Sequence, residues 1–157
     1  MKDTLRAFIS HFEELLCALL LIIMVMISSA NIVARYLPGV SFAASEELVV
    51  NLFVWLTLLG SVVAVKQKAH ISISLITKKL PAHFQKLCLV IQGISVSIVF
   101  LFIVLYGMTE TWLEYQAKMA TYSLGWPLWV FTLSLPIGSL LFLVRFSQVF
   151  LKEWRDF

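Results

Sequence analysis

The chain has 157 residues, of which 61% are hydrophobic and 13% charged, and its mean hydropathy is +0.94. That balance excludes a water-soluble globule. The net charge of +3 comes from lysines and arginines diluted among long apolar runs, which points to acidic membrane lipid rather than nucleic acid.

A hydrocarbon layer about 30 Å thick needs roughly 20 mostly apolar helical residues. The first such run is Leu15 to Ala34. Lys2 and Arg6 ahead of it, with Ser28 and Ala30 spaced like cleavage-site residues, outline a secretory signal peptide as an alternative. The run is longer than a signal core, and Glu13 and Glu14 precede it, so an uncleaved span is expected. Ser28, Asn31 and Arg35 share one face of this helix.

The second run, Leu48 to Val65, is entered through Glu46 and Glu47, and Glu47, Asn51 and Trp55 follow one another at i+4 steps. In an antiparallel hairpin, residues at equal depth have numbers with a constant sum, which matches Arg35 to Glu47 and Asn31 to Asn51. The expectation is a polar ladder that locks the hairpin through an ion pair from Arg35 to Glu47 or Glu46 and an amide contact one turn deeper. The alternative turns these residues toward another subunit, with Trp55 near mid-span as an outward packing surface.

Between the second and third runs lies KQKAHISISLITKKLPAHFQK, in which Ile73, Ile76, Leu80, Phe84 and Leu87 recur at helical spacing among Lys66, Lys68, Lys78, Lys79 and Lys86. This is a basic amphipathic segment suited to anionic phospholipid headgroups. The third run is Leu87 to Thr109. Beyond it Met108, Trp112, Tyr115, Met119 and Tyr122 keep helical spacing, which predicts an outward amphipathic extension that anchors at the lipid interface or docks another protein. The fourth run, Leu124 to Val144, opens with Gly125, Trp126, Pro127 and Trp129, is expected to kink at Pro136, and carries Gly138 for close approach of another helix.

None of the four runs contains an acidic, basic or histidine residue. Ten lysines and arginines flank the N-terminal, middle and C-terminal segments, against Arg35 and Lys118 on the other side, which places both termini in the cytoplasm. The fold class is therefore an all-α membrane protein, one domain over residues 1–157, with four transmembrane helices, a cytoplasmic basic segment and an outward extension of the third helix.

Chemistry is missing from the spans. Small multidrug exporters need an intramembrane acid, and membrane disulfide oxidoreductases need paired outer cysteines; Cys17 and Cys88 instead lie near the cytoplasmic ends of their helices, without CxxC spacing. No catalytic residue, cofactor or metal site is expected.

The strings Asn31-Ile32-Val33-Ala34-Arg35-Tyr36, Ser45-Glu46-Glu47-Leu48, Phe53-Val54-Trp55-Leu56, Leu59-Gly60-Ser61, His70-Ile71, Leu124-Gly125-Trp126-Pro127-Leu128-Trp129 and Leu135-Pro136-Ile137-Gly138 occur in order along nearly the whole chain. Together they resemble the small membrane subunit of tripartite ATP-independent periplasmic (TRAP) transporters, with departures at Ala69 and Ser74, where that family often has glycine and an acid. The resemblance implies a bacterial inner-membrane complex in which a periplasmic substrate-binding protein captures an organic acid and a large membrane subunit carries it inward with sodium. The small subunit would brace the large one and contribute Trp112, Tyr115, Met119, Tyr122, Trp126 and Trp129 to a periplasmic docking surface. The rival reading is a self-contained homo-oligomeric transporter or channel.

Overall fold

The computed structural model describes residues 2–36, 43–67 and 82–155. Among the described residues five helices form: α1 (Lys2–Arg35), α2 (Ala43–Lys66), α3 (Ala82–Gln116), the single turn α4 (Trp129–Thr132) and α5 (Ser134–Arg155). Four stretches within them are long and apolar enough to cross a membrane, namely Phe12–Arg35, Ala43–Lys66, Phe84–Gln116 and Trp129–Lys152. In hydrocarbon each backbone polar group must be satisfied within its own segment, and the helix does this. The predicted basic segment falls mostly outside the described residues, including Lys68, Lys78 and Lys79.

The long helices pack as an open row in the order α1, α2, α5, α3 rather than as a closed bundle. Among the described residues, α1 packs on α2, α2 on α5, and α5 on α3, and the two edge helices do not meet. The end of the row carrying Lys66 and Arg145 is called here the basal end, and the opposite end the loop end.

Lipid tails are as apolar as leucine, so helices in this setting associate through close packing rather than water exclusion. Small residues permit it at three points along α5. A side-chain carbon added at Gly138 would fall 2.7 Å from Leu58 Cβ on α2, one at Gly107 of α3 would fall 2.8 Å from Leu135 Cβ, and one at Gly93 would overlap the Phe150 ring. Basal to the Gly138 crossing, Val62 and Val65 of α2 bury against Phe142 and Phe146 of α5. On the other side of α5, Phe142 stacks on Phe100 of α3, with ring centroids 3.6 Å apart.

Two boundaries differ from the sequence expectation. The predicted extension of the third span stops at Gln116, where Lys118 adopts a positive φ of 50° and reverses the chain, so Met119 and Tyr122 lie off the helix. The fourth span begins at Trp129 rather than Leu124. Leu124 to Leu128 instead close a loop, because Gly125 takes φ +67° and Ala120 pairs with Pro127 in an antiparallel bridge. The α4 to α5 interruption falls at Leu133, three residues ahead of Pro136, whose ring nitrogen has no hydrogen to give the preceding turn.

Candidate functional site

Helix neighbours one residue apart point about 100° apart, so the adjacent acids that open α2 serve different partners. Glu46 faces α1, where Arg35 Nη2 donates to its Oε1 and Asn31 Nδ2 donates to the same oxygen at 3.4 Å. Glu47 turns to the loop that joins α3 to α4. Its Oε1 accepts the backbone N–H of Tyr122 at 2.7 Å, and its Oε2 accepts that of Ser123 at 2.8 Å. The hairpin register thus sets Glu46, not Glu47, opposite Arg35, and Asn31 bonds Glu46 rather than forming the expected amide contact. Ser28, Asn31, Arg35 and Glu46 line one groove of about 310 Å³ with Ser45 and Val49. Asn51 and Trp55 lie deeper on α2 and are half-buried.

The loop that Glu47 touches is closed by its own hydrogen bonds. Thr121 N–H donates to the Trp126 carbonyl at 2.7 Å, Gly125 N–H to the Thr121 carbonyl at 3.0 Å, and Leu128 N–H to the Met119 carbonyl at 3.0 Å. The Thr121 hydroxyl, on a buried residue, accepts the Trp126 N–H at 2.9 Å. Tyr122 at the tip is 100% exposed, and Trp126 is half exposed with its ring stacked on Phe131. Tyr115, Met119 and Trp129, together with Lys118 and Pro127, line a cleft of about 470 Å³ beneath the loop. Tyr115 meets Trp129 edge to face at 5.8 Å and Trp112 at 6.1 Å on its other side. Of the predicted docking residues, then, Tyr115, Met119 and Trp129 share one cleft, while Tyr122 and Trp126 project from the loop above it.

The basal end holds a cluster that the spacing argument missed. Arg145 of α5 donates to Glu13 Oε1 through Nε at 3.0 Å and Nη2 at 2.7 Å, while Glu13 Oε2 is buried without a hydrogen-bond partner. Lys66 of α2 donates to Glu14 Oε1 at 2.7 Å. Glu13 therefore joins α1 to α5, two helices whose backbones do not touch, and Glu14 joins α1 to α2. Of the lysines expected at the lipid interface, Lys66 is paired in this way and Lys86 is exposed. The signal was present in the sequence: adjacent acids at one border of the first run, with single cations at the same border of the second and fourth. Among the described residues no group of three or more His, Cys, Asp or Glu side chains is placed to hold a metal ion.

Four apolar spans in an open row, tied at its ends by charge, define a multi-pass membrane protein. Residues 24–156 match the family described as "Tripartite ATP-independent periplasmic transporters, DctQ component", and the chain belongs to that family. It is similar to two putative TRAP transporter small permease proteins of Haemophilus influenzae. One is 29% identical over 143 residues, 91% of this chain and 86% of that protein; the other is 27% identical over 123 residues, 78% and 74% respectively. A C4-dicarboxylate TRAP transporter small permease protein of Rhodobacter capsulatus is 28% identical over 114 residues, covering 72% of this chain and 50% of that protein.

Proposed function

We propose that this chain is the accessory, bracing subunit of a secondary transporter in which a large membrane subunit carries an organic acid inward with sodium and a periplasmic substrate-binding protein delivers it. The observation that carries this reading is the open row. Its edge helices keep large apolar side chains such as Met26 (67% exposed) and Met108 (65% exposed) uncovered, and among the described residues the ionic contacts gather at the two ends. Such faces suit lipid and protein alike, but a self-sufficient carrier needs polar groups at mid-membrane, and the ionic groups among the described residues sit at the ends.

In this reading the loop end faces the periplasm, both termini lie on the cytoplasmic side of the inner membrane, and Lys66, Lys68, Lys78, Lys79 and Lys86 lie near anionic phospholipid. The groove of Ser28, Asn31, Arg35 and Glu46, with Asn51 and Trp55 below it and the Pro136 bend of the last span, belongs to the surface that holds the large subunit. Trp112, Tyr115, Met119, Tyr122, Trp126 and Trp129 form the surface offered to the binding protein. The similarity to a protein named for C4-dicarboxylates supports a carboxylate as the transported solute.

The test is uptake into sodium-energised proteoliposomes. Uptake is expected only when the large subunit is present with this chain and the binding protein, and Trp55→Ala is expected to lower copurification of the large subunit while the isolated binding protein keeps its ligand affinity. Solute uptake by vesicles containing this chain alone would overturn the reading.

A further inference from the structure

The two amides held by Glu47 belong to the most outward turn of the loop. The loop's other inward bonds, from Thr121, Gly125, Trp126 and Leu128, run within the loop itself and fix its shape. The bonds from Tyr122 and Ser123 run across to α2 and fix the loop's position on the row. Both oxygens of one carboxylate are engaged by consecutive backbone donors, an arrangement in which the anion and the amide dipoles reinforce each other. The side chain carried by the first of those amides is Tyr122, which is 100% exposed. An aromatic ring without internal contact, set on backbone that a distant helix immobilises, is presented to something outside the chain.

From this we infer that Glu47 is the positioning residue of the periplasmic docking surface: it holds the Tyr122 turn at a fixed place relative to α2, so that the binding protein meets a preorganised surface instead of having to order one. The inference rests on the docking role proposed above. It also divides labour between neighbours, since Glu46 closes the α1–α2 hairpin through Arg35 while Glu47 ties that hairpin to the loop. Disturbing the hairpin mouth would therefore be passed to the docking turn through a single residue step.

The experiment uses the complex of this chain with its large subunit in lipid nanodiscs, titrated with fluorescently labelled cognate binding protein, and follows amide hydrogen exchange over residues 119–126. Glu47→Ala is expected to speed exchange at Tyr122 and Ser123 and to weaken binding-protein affinity about five- to twentyfold, the scale of losing charge-assisted hydrogen bonds that order a contact surface. Copurification of the large subunit should stay at the wild-type level. Glu47→Gln keeps one acceptor but sets its amide nitrogen against a donor, so it should give a smaller loss in the same direction; it carries the test if the alanine variant does not assemble. Tyr122→Ala should weaken binding without changing exchange at Ser123.

Faster exchange in either Glu47 variant with unchanged affinity, while Tyr122→Ala still weakens binding, would overturn the positioning role and leave the docking surface standing. Unchanged exchange in both Glu47 variants would overturn it as well. Unchanged affinity in Tyr122→Ala, Trp126→Ala and both Glu47 variants together would remove the docking surface itself.

Discussion

The two ends of the helix row use carboxylates for different purposes. At the basal end Glu13 and Glu14 of α1 meet cations on two other helices, and the Glu13 side chain is only 11% exposed. At the loop end Arg35 and Glu46 form a pair that is more than half exposed, and Glu47 spends its charge on backbone amides. The basal contacts tie α1 to α2 and α5, two helices whose own spacing is set by Gly138 and the Val62 and Phe142 layer. The Glu47 contact gives a position on α2 to a loop whose internal hydrogen bonds fix only its shape. Ionic contacts between helices fasten a scaffold; ionic contacts to a loop decide what the scaffold presents.

The contrast predicts where damage is greatest. Arg145→Ala leaves Glu13 buried and uncompensated, which should cost about 3 to 5 kcal/mol. Thermal unfolding of the detergent-solubilised protein, followed by tryptophan fluorescence, should show a large drop, and the double variant Arg145→Met with Glu13→Met should recover most of it. A double variant as unstable as the single one would mean that Glu13 is not the reason. Gly138→Val tests the seam between the two ends. The added carbons must displace Leu58, and overpacking of this kind should cost about 1 to 3 kcal/mol and loosen both ends together. Lys66→Ala and Glu14→Gln should each cost about 1 kcal/mol or less, since water reaches this pair, and the double variant should be no worse than the poorer single one. Full additivity of the two would show that they do not act on each other.

How much of this was legible depends on the range of the interaction involved. Span existence follows from hydropathy, because lipid imposes length and the absence of charge on each segment separately. The Arg35 to Glu46 contact lay within reach for the same reason, since a hairpin constrains its two mouths by sequence distance alone; the choice between Glu46 and Glu47, and the alternative of an outward turn toward another subunit, were open. That choice turned on a loop 75 residues away, whose backbone amides carry no signature in residue type. Helical spacing through Met119 and Tyr122 likewise outlasted the helix, because periodicity says nothing of the positive φ at Lys118 that ends it. Row order was not readable at all, since apolar faces between lipid and protein look alike in composition.

The smallest predicted effect separates the two acids of α2. Arg35→Glu places three carboxylates at the hairpin mouth and should weaken it, yet the exposed wild-type pair is worth no more than about 1 kcal/mol where water reaches it. Adding Glu46→Arg restores opposite charges across the same gap and should return the melting temperature to near wild type. Adding Glu47→Arg should not, because Glu47 points to Tyr122 and Ser123, and removing it frees the loop without pairing the new acid. Equal rescue by both arginines would mean that the mouth senses only net charge, and the directional distinction between Glu46 and Glu47 would fall.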